Sequence, residues 1–262
     1  MKVAIIGGGN MGSAIAKALK QNFNELSSLV VSDRDPAKHA AFSELEVDVT
    51  DSNADAVTDS DVVILAVKPQ QIGDLEIAGK LKGDAIVISI MAGVPIEKIR
   101  EILDGHSYIA RVMPNLPALI SEGMSGFYAP DLTGEQKSVV VGILKSFGDE
   151  IELKSEDEID KITAISGSGP AYVFYFLEAM TDAGVELGFG EETAKKLALK
   201  TLLGSGKYAK VASESFSELR EKVTSKGGAT EKALQVLNNY GFKKSLVEAI
   251  NSAYKKAKEL GS

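Results

Sequence analysis

Two stretches of this chain carry residues whose types and spacing could do chemistry. The first is Gly7-Gly8-Gly9-Asn10-Met11-Gly12. Gly7, Gly9 and Gly12 stand at the spacing G-x-G-x-x-G, in which the glycines serve in turn a tight turn, the approach of a pyrophosphate, and close packing of a helix on a strand. The second is Val223-Thr224-Ser225-Lys226-Gly227-Gly228-Ala229-Thr230. Two glycines ahead of a helix let the backbone reach positive φ and come close to a ligand. The first-turn amides of that helix then point outward, with the positive end of its dipole behind them. Ser225 and Thr230 add hydroxyls and Lys226 a cation. The segment reads either as a socket for one carboxylate or phosphate, or as a capped turn between two helices.

The elements around the glycine loop decide what it is for. Lys2-Val3-Ala4-Ile5-Ile6 is a short β-leaning run, and 13–20 has helical spacing with Ala14, Ile15, Ala18 and Leu19 inward. A strand before and a helix after are the context that turns the spacing into a dinucleotide site. The next strand, 29–32, ends in Asp33-Arg34-Asp35-Pro36. An acidic residue there takes the ribose hydroxyls of NAD, whereas an arginine accommodates the 2′-phosphate of NADP. Both are present, so NADPH and NADH stay open at this point. Three more apolar strands are expected over 61–67, 85–90 and 108–112. They end in Lys68-Pro69-Gln70, Met91-Ala92-Gly93-Val94-Pro95 and Met113-Pro114-Asn115. Ligands on open α/β sheets collect beyond the carboxyl ends of the strands, which makes Lys68, the Ala92-Gly93 backbone and Asn115 candidates to face a cofactor's reactive half. Asn53 is either a further candidate or a helix cap. His39 and His106 lie in polar contexts away from strand ends and read as surface histidines.

From Ser155 the pattern changes to helices alone. The fold class expected is therefore α/β: an N-terminal Rossmann-type doubly wound sheet over 1–154, followed by an all-α C-terminal domain over 155–262. Ser166-Gly167-Ser168-Gly169-Pro170-Ala171 punctuates the change like a hinge, with Ser168 as cap. Helices are then expected over 172–187, 191–211, 216–223, 230–240 and 242–260. The first carries Tyr172, Val173, Phe174, Phe176 and Leu177 and is apolar on nearly every side. Either part of it faces a second copy of the chain, giving at least a homodimer, or it is a deeply buried central helix.

Composition narrows the classes of function. At 262 residues the chain is long enough for two domains. A net charge of −8 argues against nucleic acid and anionic membranes as partners. With no cysteine there is no disulfide and no thiolate metal site, and no metal cluster is evident. No apolar run is long enough to span a membrane, and the cytoplasm is the expected location. Without a cysteine nucleophile or a placed histidine, reducing a ketone is a poor fit, because a new alkoxide needs a proton donor. An imine needs less: its protonated nitrogen already carries the charge that hydride neutralises, and orientation supplies most of the effect. A carboxylate socket and a hydroxyl near nitrogen would serve, with Lys68 or a tyrosine as the proton donor.

These residues resemble the pyrroline-5-carboxylate reductases along essentially the whole chain. The resemblance rests on Gly7-Gly8-Gly9-Asn10-Met11-Gly12, Ala66-Val67-Lys68-Pro69, Met91-Ala92-Gly93-Val94, Arg111-Val112-Met113-Pro114-Asn115, Ser166-Gly167-Ser168-Gly169-Pro170-Ala171-Tyr172 and the 223–230 segment. It implies reduction of the cyclic imine 1-pyrroline-5-carboxylate to L-proline, the last step of proline synthesis, by NADPH or NADH. It also implies that Gly227, Gly228, Ala229 and Thr230, with Ser225 beside them, bind the substrate carboxylate, Thr230 lying near the imine nitrogen. Ile6, the glycine loop, Asn53 and Ala66, Val67, Lys68 and Pro69 would line the cofactor. Members dimerise through interleaved C-terminal helices, often in rings of dimers. This chain departs from the pattern at Lys226, Ala229 and Lys222, where relatives often have proline, threonine and, in some, asparagine.

Two rival readings remain beside it. One is a Rossmann reductase for another small acid, although Lys161, Lys195, Lys196 and Lys200 stand in no catalytic frame. The other is a cofactor-binding regulatory protein, which would bind nucleotide without turnover.

Overall fold

The structure is a computed structural model that describes residues 1–260. Its first part alternates strands and helices: β1 (Lys2–Ile6), α1 (Asn10–Asn22), β2 (Ser28–Ser32), α2 (His39–Ser43), β3 (Asp48–Thr50), α3 (Asn53–Val57), β4 (Val62–Leu65), β5 (Ile86–Ser89), α4 (Ile96–Ile102) and β6 (Ile109–Met113). β7 (Gly123–Tyr128), α5 (Gly134–Lys145), β8 (Gly148–Glu152) and α6 (Glu156–Ile162) complete it. The sheet order is β3-β2-β1-β4-β5-β6-β7-β8. Strands β1 to β6 are parallel, β7 runs antiparallel to β6, and β8 runs parallel to β7. Strand order therefore reverses between β1 and β4, the place where doubly wound sheets open a crevice.

The continuous apolar strands follow from burial on both faces. Along β1, Val3 and Ile5 pack with Ile15, Leu19 and Val140, whereas Ala4 and Ile6 pack with Val57 and Ile99 on the opposite face. The alternation continues at β4, where Ile64 faces the first cluster and Val63 and Leu65 the second. Each such fully buried aliphatic side chain contributes about 1.5–3 kcal/mol, which fixes the register of strands that carry the glycine loop and Lys68. Helix α5 starts on a capping box: Gln136 N–H donates to Thr133 Oγ1 at 3.3 Å, and Thr133 N–H to Gln136 Oε1 at 3.0 Å.

The remaining helices are α7 (Gly169–Glu186), α8 (Glu191–Val211), α9 (Phe216–Lys222), α10 (Ala229–Asn239) and α11 (Phe242–Leu260). The expected hinge at 166–171 is corrected. α6 continues into α7 through a single π turn over Thr163–Gly167, closed by Ser168 N–H donating to the Thr163 carbonyl at 2.8 Å. Ser168 takes helical angles (φ −83, ψ −18) and ends that π turn through its backbone amide. β3, α2, α3, α4 and α6 are short elements that the sequence pattern did not separate.

By packing, the chain forms two compact units: Met1–Pro170 together with the end of α11 from Ser252, and Ala171–Asn251. This division falls later than the change of pattern at Ser155 because α6 closes on β7. A Cβ at Gly126 would lie 2.6 Å from Ile162 Cδ1, so a larger residue there would make the Ile162 side chain shift. The end of α11 is tied to α6 at Asp157, which accepts from Tyr254 Oη at 2.6 Å and pairs with Lys161 at 2.8 Å and Lys258 at 3.1 Å.

The second unit has very little interior. Ala194 and Ala198 are its only buried residues among those described, and Gly184 gives Ala194 the space to approach α7. Phe174 is 55% exposed, Leu187 81% and Tyr240 85%. No residue of α7 is buried, which removes the reading of a deeply buried central helix. Among the described residues no helix is long and apolar enough to cross a membrane.

Candidate active site

A cleft of about 190 Å³ opens where the sheet order reverses, at the carboxyl ends of β1 and β4. Gly7, Gly9, Asp33, Arg34, Asn53, Ala66, Val67 and Lys68 line it. Gly7 takes φ 107, and a Cβ there would lie 2.8 Å from the Ala66 carbonyl oxygen. A Cβ at Gly12 would fall on the Gly7 carbonyl oxygen, so this glycine lets α1 begin tight against the loop. A Cβ at Gly9 would meet nothing within 4 Å, and no side chain caps α1. The first-turn amides of α1 are thus left for an anion.

Other expected cofactor residues support the cleft without lining it. Ile6 is fully buried, and its carbonyl accepts from Ala66 N–H at 2.8 Å, which sets the two strand ends side by side. Gly8 is wedged against Phe42. Asn10 and Met11 open α1, and Pro69 opens the 3₁₀ turn Pro69–Asp74 that follows Lys68. Ala92 and Gly93 (φ 75) form the turn after β5 and stand outside this cleft. So does Asn115, whose Oδ1 accepts from Met124 N–H at 2.9 Å and whose Nδ2 donates to Ser166 Oγ at 3.0 Å. Its amide brackets β7 to the π turn. Asn53 does not cap α3, a task performed by Ser52; it accepts from Ser32 Oγ at 2.6 Å and donates to the Leu75 carbonyl at 3.0 Å.

The end of β2 is resolved in detail. Asp33 Oδ2 accepts from Gly8 N–H at 2.8 Å and from Lys38 Nζ at 2.8 Å, and Oδ1 accepts from Asp35 N–H at 2.9 Å. Burial works to raise the Asp33 carboxyl, but the Lys38 ammonium and the Asp35 and Gly8 amides outweigh it and hold the group below its ordinary value. Arg34 is more exposed, donating to the Asp74 carbonyl at 3.1 Å and to Glu76 at 3.4 Å. Lys38, Ser32, Gln71, Asp74 and Leu75 line the cleft and were missed in the sequence. Lys38 stands five residues after Asp33, and a basic residue at the close of the turn beyond β2 was the available signal. The two histidines are half-buried rather than exposed: Nε2 of His39 donates to the Asp33 carbonyl and that of His106 to the Ala85 carbonyl, both at 2.7 Å.

In the second unit, the 223–230 segment joins α9 to α10. Gly227 (φ 72) makes the turn and Gly228 is the N-cap of α10. The Gly227 amide is spent on Glu231 Oε2 at 2.7 Å, and that of Gly228 on the Ser225 carbonyl at 3.0 Å. The amides of Ala229, Thr230 and Glu231 have no acceptor among the described residues, and Ser225 and Thr230 are exposed. What the segment offers an anion is therefore the first turn of α10 and two hydroxyls. Lys222 is occupied by an ion pair with Glu214.

A glycine loop at the reversal point of a doubly wound sheet defines a Rossmann-type dinucleotide-binding protein, and the family of NADP oxidoreductases, coenzyme F420-dependent, matches residues 2–93. The pyrroline-5-carboxylate reductase dimerisation family matches residues 156–260, which accounts for the exposed apolar helices. A pyrroline-5-carboxylate reductase of Pseudomonas aeruginosa is 38% identical over 99% of this chain and 96% of its own. The structure of a pyrroline-5-carboxylate reductase from Coxiella burnetii superposes with a TM-score of 0.89 at 36% identity, covering 99% of this chain and 98% of that one. The Plasmodium falciparum enzyme, solved with NADP bound, also gives 0.89, at 32% identity over 100% and 98% of the two chains. The chain belongs to the pyrroline-5-carboxylate reductase family.

Proposed function

We propose that this protein reduces 1-pyrroline-5-carboxylate to L-proline, the last step of proline biosynthesis, using NADPH, with NADH as an alternative donor. The observation that carries the reading is the start of α10, whose first three amides have no acceptor among the described residues, in a chain that also holds a glycine-loop cleft. Family membership supports the same substrate.

Residues 1–154 hold the dinucleotide, and 155–262 hold the substrate and the second subunit. The pyrophosphate lies over Gly9 and the first turn of α1, where a Cβ would obstruct it. Ala66, Val67, Lys68 and Pro69 line the nicotinamide side, with Ala92, Gly93 and Asn115 on strand ends further along the sheet. Bound there, NADPH supplies the hydride. The Ala229 and Thr230 amides, with Ser225, hold the substrate carboxylate, while Gly227 and Gly228 supply the turn that presents them. The Thr230 hydroxyl orients the imine nitrogen. Because the protonated imine carries the charge that hydride neutralises, orientation matters more than acid strength. Lys68, exposed at the mouth of the cleft, is the proton donor. The helical unit pairs with a second copy, and such dimers build rings in the cytoplasm.

The test is the loss of reduced-nicotinamide absorbance with 1-pyrroline-5-carboxylate, run in parallel with NADPH and NADH. Turnover is expected. Folded protein that binds nucleotide and turns over neither would favour a regulatory role.

A further inference from the structure

Helix α6 and the π turn that follows it are fastened to the carboxyl edge of the sheet. Glu156 joins Arg111 of β6 to the amide of Ile96, which opens α4 after the Ala92-Gly93 turn. Asn115, two residues past the end of β6, donates through Nδ2 to Ser166 Oγ at 3.0 Å, while its Oδ1 accepts from Met124 N–H. A Cβ at Gly167 would lie 3.6 Å from Met113 Cγ and Sδ, so the π turn rests on the last residue of β6. Single π turns inside helices are rare and recur at functional sites.

What this turn presents is the hydroxyl of Ser166, which is half-buried. A hydroxyl carries one proton and two lone pairs. Asn115 uses a lone pair, and the proton has no acceptor among the described residues. Thr163, in the same turn, behaves otherwise: its Oγ1 donates back to the Ile159 carbonyl at 2.7 Å. An N–H donated to an oxygen polarises its O–H and strengthens the bond that O–H can give. Ser166 therefore keeps one primed donor at the end of β6.

Its place along the sheet names the group it would meet. The strand order beyond the cleft runs β4-β5-β6, which at ordinary strand spacing sets the end of β6 about 10 Å from that of β4. A dinucleotide laid across the reversal point, with its pyrophosphate on the start of α1, directs its nicotinamide half that way. The polar handle of that ring is its carboxamide, whose carbonyl takes one donor. We propose that Ser166 donates to the carboxamide carbonyl of the nicotinamide and so fixes how the ring is turned, with Asn115 as the positioning residue that holds the hydroxyl. The inference rests on the reading that the cleft takes the dinucleotide.

NADPH and 2′-phospho-ADP-ribose differ by the nicotinamide, and calorimetry on the intact oligomer compares them without the imine. Ser166→Ala is expected to weaken NADPH about three- to tenfold, the scale of one neutral hydrogen bond, and to leave 2′-phospho-ADP-ribose within about twofold. Ser166→Thr keeps the hydroxyl and is expected to restore most of the loss. Asn115→Asp puts an acceptor where the donor stood and draws the serine proton to itself. It should match Ser166→Ala, and the double variant should lose no more than either. The thionicotinamide analogue of NADPH offers a poorer acceptor, so Ser166→Ala should cost it less than about twofold. Equal losses for NADPH and 2′-phospho-ADP-ribose, or an equal loss with the thio analogue, would reduce Ser166 to a packing role. Unchanged NADPH affinity in a Ser166→Ala protein whose melting curve matches the parent overturns the contact. Failure of the parent protein to bind either ligand would instead refute the dinucleotide reading itself.

Discussion

Arg111 and Asp160 stand 2.7 Å apart, a strand residue and a helix residue forty-nine positions distant joined beneath the surface. Only 3% of the arginine side chain is exposed. Its second terminal nitrogen lies 3.2 Å from Glu156, which also accepts from the Ile96 amide at 2.7 Å, so one guanidinium ties β6 to α6 and, through Glu156, to the start of α4.

Removing one side of such a pair leaves buried charge without compensation. Arg111→Met is expected to lower stability by about 3–5 kcal/mol in urea unfolding. Arg111→Lys retains a charge but loses the two-pronged geometry, and should fall between. A loss under 1 kcal/mol for the methionine variant would show that the two carboxylates find other partners.

Thr230→Ala should lower turnover or raise the substrate KM while nucleotide affinity holds. The threonine is exposed on the first turn of α10, so its removal has no packing cost to confuse the kinetics. Parent-like kinetics would take it out of the mechanism.

Arg34 already donates to Asp74 and Glu76 and is 59% exposed. Its replacement by alanine should raise the KM for NADPH by a few-fold and leave NADH unchanged. Matched losses for both cofactors would mean that Arg34 does not sense the phosphate.

Lys161, then Tyr254 and Lys258, hold the Asp157 carboxyl well below its ordinary value of 3.8. A depressed folded-state value means stability that is present in full above the unfolded value and drains away as pH falls through the folded one. Asp157→Asn removes that contribution. The stability gap between parent and variant should therefore be widest near neutrality and narrow below about pH 4. A gap independent of pH would show that the three contacts do not favour the ionised form.

Phe174→Glu places a charge on a helix that buries nothing within its own chain. Sedimentation should find the oligomer dissociated or strongly weakened. An unchanged oligomer would move the interface off this face of α7.

Much of this architecture is legible in the residues, and the exceptions have a common cause. The glycine loop, β1, α8 and α11 coincide with their patterns because local periodicity and chain-adjacent glycines determine them. Side-chain allegiance is different. Asp33 turns toward Gly8 and toward Lys38, which a short turn returns to the cleft. Asn115 reads as a cofactor contact at a strand end, and its amide also bonds Met124 and Ser166, the latter delivered by a π turn that no periodicity announces. The run 166–171 has the composition of a hinge but is wound as helix, in the π turn and the start of α7.

The near-absence of buried residues in the second unit has a consequence for inheritance as well as for folding. Helices that bury so little alone must draw their stability from association, so the amount folded depends on protomer concentration. A defect on α7 or α8 is then never private to the copy that carries it. When intact and damaged chains are made together, each mixed oligomer holds sound and faulty helices, and a single lesion is felt beyond the polypeptide that carries it.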